Sequence, residues 1–135
     1  MRAVLDTNVI VSAALTTHGT CARLVDMLVN GTLEICVDDR ILDEYDSVLR
    51  RPKFCMLPEN IDILMEAIRH VAIHVIGAPL SVDLPDSGDR PFLEVAVAAG
   101  AILVTGNVRH YPPDACAGVK AVTPAEFLEL VTRSS

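Results

Sequence analysis

Short apolar runs alternate with longer amphipathic segments along the chain. Five runs in which nearly every residue is hydrophobic predict β-strands, because a buried strand of a parallel sheet is apolar on both faces. These runs are residues 3–5, 33–37, 73–76, 101–104 and 119–122. Each contains only three to five residues, which is typical of a strand and too short for a helix.

The segments between these runs repeat apolar positions at the spacing of a helix face. Polar caps or prolines mark several of their ends, and residues 92–99 are apolar nearly all round, which predicts a buried helix. Helices are predicted at residues 9–15, at 20–29, from the Asp38–Asp39 cap to a point before Pro52, from Pro58 onward, at 92–99, and from Thr123–Pro124 onward.

Strands that alternate with helices predict an α/β fold, a three-layer sandwich whose central sheet is mostly parallel and has a Rossmann-like topology. The 135 residues correspond to one domain, residues 1–135. In such a fold, ligands bind at the carboxyl ends of the strands. We therefore expect the functional residues to follow the strands directly.

Composition and charge argue against several classes of protein. Eighteen acidic residues against eleven lysines and arginines give a formal charge of −7, which argues against binding nucleic acid mainly through a basic surface unless a cation offsets the acids. The four cysteines lack metal-site spacing and are predicted to be reduced core thiols. No apolar stretch is long enough to span a bilayer, and the first residues lack a signal-peptide pattern, so we expect a cytoplasmic protein without a membrane partner.

Acidic and polar residues follow two of the predicted strands and precede a predicted helix. Asp6 comes directly after the first strand, Thr105 follows the strand at 101–104, and Asp86 and Asp89 end the long loop at 77–91. Each aspartate alone is explained as a helix cap. Together at one sheet edge they would repel one another unless Mg²⁺ or Mn²⁺ offset the charge, which predicts a metal site.

A further acid is expected on the helix that begins near Asp38. Its apolar face centres on Tyr45, and Glu44 and Asp46 flank that face at similar angles. Periodicity therefore leaves Glu44 and Asp46 as equal candidates.

Four segments together resemble the PIN-domain ribonucleases. They are residues 5–9 (LDTNV), 41–45 (ILDEY), 86–93 (DSGDRPFL) and 103–107 (LVTGN), and their order matches the family across almost the whole chain. Within that family, the chain is most similar to the toxin components of bacterial toxin–antitoxin pairs. The resemblance implies an endoribonuclease that uses Mg²⁺ or Mn²⁺ to cleave single-stranded RNA, a cognate antitoxin and a homodimer.

The resemblance also implies roles for individual residues. Asp6, Glu44 and Asp89 match the catalytic, metal-binding acids, which favours Glu44 over Asp46. Asn107 stands where the family often places a further aspartate, and we expect it to be a weaker metal ligand. Four polar residues are expected to support the site: Thr7, Asn8, Asp86 and Thr105. If Asn107 lies outside the site, Thr105 or Asp86 is the better candidate for the fourth ligand.

Five basic residues near these segments are expected to contact the RNA backbone weakly: Arg50, Arg51, Lys53, Arg109 and His110.

Two other functions stay open. A PIN-like module that has lost activity would only bind a protein partner, and Asn107 is consistent with that loss. A phosphatase or receiver domain also places an aspartate after a strand, but the chain lacks the lysine that both require near the later site.

Overall fold

The five strands form one parallel sheet in the order β3-β2-β1-β4-β5. A computed structural model describes residues 1–133. The strands are β1 (Arg2–Leu5), β2 (Glu34–Val37), β3 (Ile73–His74), β4 (Ile102–Val104) and β5 (Ala121–Val122). The predicted α/β three-layer sandwich is confirmed, and within the described residues every strand pairing is parallel.

The described residues also form six α-helices. They are α1 (Thr7–Leu15), α2 (Thr20–Val29), α3 (Asp39–Leu49), α4 (Pro58–Val71), α5 (Arg90–Ala99) and α6 (Pro124–Arg133). Helix α5 contacts β1, β2 and β4, whereas α1 contacts both α2 and α3. Among residues 1–133, no helix has the length and apolar character needed to cross a membrane.

Local signals in the sequence account for where the helices begin and end. The Asp6 carboxylate accepts a hydrogen bond from the Thr7 amide at 2.8 Å and caps α1. Asp38 caps α3 through the Ile41 amide at 2.9 Å, and Gly100 ends α5 in a left-handed conformation at φ +64°. These are the residue types that satisfy the free backbone groups at helix ends.

The order in which the chain adds strands to the sheet reverses next to β1. The chain moves outward from β1 to β2 and β3, then returns to the other side of β1 to form β4 and β5. The two central strands are aligned so that Leu5 lies opposite Val104, and the Asp6 amide bonds to the Val104 carbonyl at 2.8 Å. Residues that follow β1 and β4 therefore share the crevice in which α/β proteins bind their ligands.

Three sequence-based predictions need correction. The third strand ends at His74 rather than residue 76, and Ile76 is 95% exposed because the chain leaves the sheet after Val75. Helix α5 is buried from Phe92 to Ala96, but Val97 is exposed. Cys55 is exposed, since it lies after a short 3-10 turn outside the core, while Cys36 and Cys116 are buried as expected.

Candidate active site

Asp6 lies at the centre of the crevice, where its carboxylate accepts four hydrogen bonds. The Thr7 amide donates to Oδ1 at 2.8 Å. Three side chains donate to Oδ2: Thr105 Oγ1 at 2.8 Å, Tyr111 Oη at 3.2 Å and Asn8 Nδ2 at 3.4 Å. The carboxylate is only 5% exposed, so these donors fix its orientation. Oδ1 has one donor and Oδ2 has three, so Oδ1 keeps more of its capacity to accept.

Glu44 reaches the same crevice from α3. The Thr7 hydroxyl donates a hydrogen bond to Glu44 Oε2, so Glu44 is tied to the residue that follows Asp6. Asp46, its rival in the sequence pattern, bonds to Arg50 at 3.0 Å on another surface of the helix. The Arg50 hydrogen bond lowers the pKa of Asp46. The structure thus brings Glu44, and not Asp46, to the crevice.

The position of α3 depends on Tyr45, which sequence reasoning did not single out as functional. Its hydroxyl donates to the Leu5 carbonyl, the last residue of β1, and its side chain is fully buried. This bond fixes the neighbouring Glu44 against the end of the strand that carries Asp6. Tyr111, also missed, donates to Asp6 itself. Both contacts join residues far apart in sequence, so no local pattern could have revealed them.

Replacing Tyr45 with phenylalanine is expected to lower the free energy of unfolding by about 1 to 3 kcal/mol, because the buried Leu5 carbonyl loses its side-chain donor. Urea denaturation measures the change. Tyr111→Phe is the matched control and should cost less, since Asp6 Oδ2 keeps Thr105 and Asn8 as donors. Equal costs for the two variants would contradict this account of Tyr45.

Asp89 reaches the same crevice from the turn that precedes α5. It lies in the 3-10 turn Ser87–Asp89 just before α5, is 9% exposed, and its Oδ2 lies 3.0 Å from His110 Nδ1. Burial raises the pKa of Asp89 to about 6, with Asp6 and Asp86 acting in the same direction and His110 opposing them. The negative charges of the site are therefore close enough to repel one another.

Asn8 and Gly106 connect the loops after β1 and β4. The Gly106 amide donates to Asn8 Oδ1 at 2.9 Å, and a Cβ at position 106 would lie only 3.2 Å from that oxygen. A larger residue at position 106 would therefore require the Asn8 side chain to shift by a few tenths of an ångström. The Asn107 amide in turn donates to Thr105 Oγ1 at 3.0 Å, which orients the Thr105 hydroxyl toward Asp6.

The three acids line one open cleft of about 520 Å³ together with Thr7, Asn8 and Asp86, whereas Thr105 contacts Asp6 from outside the lining. Its polar wall comes from α1, α3 and the two turns near Asp89 and His110, and Arg51 adds a positive charge. Its apolar wall comes from Val11, Leu15, Val48 and Phe54. The lining residues are Asp6, Thr7, Asn8, Val11, Ser12, Leu15, Glu44, Val48, Arg51, Phe54, Asp86, Asp89 and His110.

Several residues expected at the site lie elsewhere. In the part of the chain that the structure describes, Asn107 is exposed and does not line this cleft, and neither does Arg50, which pairs with Asp46 and Asp62. Lys53 and Arg109 are exposed outside the lining, and the Lys53 ammonium lies 5.1 Å from the centre of the Phe54 ring. Of the five basic candidates, only Arg51 and His110 line the cleft.

The donor set fits a hard divalent cation. Asp6, Glu44 and Asp89 contribute carboxylate oxygens to one cleft, and oxygen ligands are those that Mg²⁺ and Mn²⁺ prefer. Besides burial, the charges of Asp6 and Asp86 raise the pKa of Asp89, so a cation in the cleft would favour its ionised form. Thr7 and Thr105 hold two of the acids in place, as hydroxyl groups behind metal ligands do.

The fold and the site together define an α/β protein with an acidic cleft at the point where the strand order of its parallel sheet reverses. Residues 2–109 match the sequence profile of the PIN domain. The chain belongs to the PIN-domain family. Because the chain is a PIN domain, it is neither a phosphatase of the haloacid-dehalogenase type nor a receiver domain.

Two solved structures are similar to this chain. One is VapBC2 from Rickettsia felis, crystallised with a DNA fragment from its promoter, at 15% identity and a TM-score of 0.61, covering 91% of this chain and 98% of that one. The other is a domain of a functionally unknown protein from Methanocaldococcus jannaschii, at 16% identity and a TM-score of 0.56, covering 90% and 89%. At such identities the likeness establishes the fold alone. No curated protein matches the chain.

Proposed function

We propose that this protein is a Mg²⁺- or Mn²⁺-dependent endoribonuclease that cleaves single-stranded RNA and serves as the toxin of a toxin–antitoxin pair. The observation that carries the proposal is the placement of Asp6, Glu44 and Asp89 around one cleft at the carboxyl edge of a PIN-domain sheet. These acids come from three separate parts of the chain, and local helix capping explains only the position of Asp6.

Each acid has a distinct role in the proposed reaction. Asp6 and Asp89 would hold the cation directly, and Glu44, on its longer side chain, would hold it through water or orient the attacking water. The bound ion supplies an activated water and offsets charge on the phosphate oxygens. Thr7 orients Glu44, and Thr105 and Tyr111 orient Asp6, so the acids are held in position before the substrate arrives.

The substrate backbone would be held partly by the cation, because the chain carries a net charge of −7. Arg51 lies in the cleft wall and is the basic side chain best placed to contact a phosphate beside the acids. Lys53 and Arg109 are exposed on the neighbouring turns and would contact flanking nucleotides. Arg50 is a weaker candidate because it pairs with two aspartates.

The toxin role draws on the similarity to VapBC2, a toxin–antitoxin complex. Val11, Leu15, Val48 and Phe54 form an apolar wall beside the acids. Leu15 is 47% exposed, and an antitoxin segment that covered this wall would bury it and block the cleft. A homodimer and a cytoplasmic location are part of the same proposal.

The test is cleavage of a labelled single-stranded RNA by the pure protein. Mg²⁺ or Mn²⁺ should support cleavage, excess EDTA should stop it, and single-stranded DNA of the same sequence should be a poorer substrate. Glu44→Gln should lower the rate at least about 10-fold. Asp43→Asn, on the exposed side of the same helix, is the matched control and should leave the rate unchanged. Cleavage that persists in EDTA would contradict the mechanism.

An inactive module that only binds a protein partner is the second candidate. The observation that favours it is Asn107, which stands where the family often places an aspartate and is exposed outside the cleft. Under this alternative, the wild-type protein would fail to cleave RNA with either metal but would bind a small partner protein tightly.

A further inference from the structure

A second group of potential metal ligands lies beside the proposed nuclease acids. Asp86, Asp89 and His110 each offer one ligand atom, and these atoms all lie within 4.8 Å of one another. The residues come from two 3-10 turns, Ser87–Asp89 with its cap Asp86, and Val108–His110. Across residues 1–133, neither Asp6 nor Glu44 belongs to a group of this kind. An ion held by these three residues would therefore occupy its own position, with Asp89 shared between the two.

The distances within the group suit a metal ion. His110 Nδ1 lies 3.0 Å from Asp89 Oδ2. Two neighbouring ligands of an octahedral ion with bonds of about 2.1 Å lie about 3 Å apart, so the observed separation matches an edge of such a site. A lone pair on Nδ1 and one on a carboxylate cannot face each other at this distance unless a proton or a metal ion lies between them.

The ligand set also differs in kind from that of Asp6, Glu44 and Asp89. It includes an imidazole nitrogen, which first-row transition metals accept readily, whereas Mg²⁺ takes oxygen ligands almost exclusively in proteins. Asp89 is buried, but His110 is partly exposed and Asp86 is exposed, so an ion can enter from solvent. Asp86 uses Oδ1 to accept from the Gly88 amide at 2.9 Å, and that bond holds the side chain near the turn.

We propose that Asp86, Asp89 and His110 form a second cation position that takes a divalent transition-metal ion such as Mn²⁺ in preference to Mg²⁺. The proposal rests on the proposed function, because Asp89 belongs to both positions. It also accounts for Asn107. Where the family often uses a further carboxylate, this chain offers the Asp86 carboxylate and the His110 imidazole in the lining of the cleft.

Isothermal titration with Mn²⁺ and with Mg²⁺ tests the position without any activity measurement. The wild type should bind about two Mn²⁺ ions per chain, and His110→Ala about one, or the second at least about 10-fold more weakly. Binding of Mg²⁺ should be the same in both proteins. Asp86→Asn should reproduce the loss, and because Asp86 is exposed this variant stays informative if His110→Ala does not fold.

Pulsed electron paramagnetic resonance of bound Mn²⁺ supplies a direct readout. Nitrogen coupling from ¹⁵N-histidine should be present in the wild type and absent in His110→Ala. Asp6→Asn should keep the nitrogen coupling, because Asp6 lies outside the group. Absent coupling in the wild type, or Mn²⁺ binding that His110→Ala leaves unchanged, would overturn the second position. A protein that binds Mn²⁺ through nitrogen but cleaves no RNA would instead reject the proposed function alone.

Discussion

Replacing Asp6 with asparagine is expected to lower metal-dependent RNA cleavage by more than about 100-fold without unfolding the protein. The substitution removes the negative charge at the centre of the cleft, where the proposed cation binds. An amide oxygen is a much weaker ligand than a carboxylate for Mg²⁺ or Mn²⁺. Glu44 and Asp89 already belong to the proposed site, so neither adds a charge to replace the one that is lost.

The fold should tolerate this change because asparagine preserves the contacts of the cap. Its amide oxygen can accept from the Thr7 amide, which keeps α1 capped. Its NH₂ group would face Thr105 and Tyr111, whose hydroxyls can turn and accept instead of donate, and only the long hydrogen bond from Asn8 Nδ2 is lost. Loss of the charge also removes part of the repulsion on Asp89. We therefore expect the free energy of unfolding to change by about 1 kcal/mol or less.

Single-turnover cleavage rates and urea denaturation of the same preparations check both parts of the prediction. Asp46→Asn is the matched control, since Asp46 is an acid that pairs with Arg50 outside the cleft, and its rate should equal that of the wild type. An Asp6→Asn protein that is folded and still cleaves RNA with Mg²⁺ would remove Asp6 from the proposed mechanism.

The residues that follow strands were predictable from sequence because their signals are local. Asp6 and Thr105 come directly after apolar runs, and parallel strands bring such positions to one sheet edge. Glu44 was not predictable in this way. It and Asp46 flank the apolar face of α3 symmetrically and are both half-buried. What separates them is a hydrogen bond to Thr7, which is 37 residues away, so only the family resemblance favoured Glu44.

Other parts of the site depend on contacts that no periodicity encodes. The proximity of His110 to Asp89 joins two turns 21 residues apart, and the sequence offered His110 only as one of several basic residues. The exposure of Asn107 depends on how the chain leaves β4, where its backbone amide bonds to Thr105. Composition gave no sign of either arrangement.

Glu94 is another residue whose contacts could not be predicted from the sequence, in this case inside the core. It interrupts an apolar run and is 3% exposed, and the cation one turn before it, Arg90, donates to the Val82 carbonyl rather than supplying a compensating charge. The structure supplies one from α3: Arg40 donates to Glu94 Oε1 at 2.7 Å, and the Leu80 amide donates to Oε2 at 2.8 Å. Through Leu80, Glu94 fastens the loop that leads to Asp86 and Asp89.

Replacing Arg40 with alanine is therefore expected to be the most destabilising of the charge changes considered, at about 2 to 3 kcal/mol. It leaves the Glu94 carboxylate buried with only one hydrogen bond. The cost should fall below the roughly 3 to 5 kcal/mol of a fully buried pair, because the Arg40 side chain is 48% exposed and water can enter. Glu94→Gln should cost less, since Arg40 keeps both solvent and Asp38 as partners.

Urea denaturation at neutral pH measures this order of stabilities. Arg2→Ala is the matched control, because Arg2 pairs with Glu34 at 3.7 Å where both side chains are about half exposed, and such a pair contributes less than about 1 kcal/mol. The double variant Arg40→Ala with Glu94→Gln should be more stable than Arg40→Ala alone, since it no longer buries an unpaired charge. The double variant could instead lose as much stability as the two single variants lose together. In that case the burial of an unpaired Glu94 carboxylate would not be the cause of the Arg40→Ala cost.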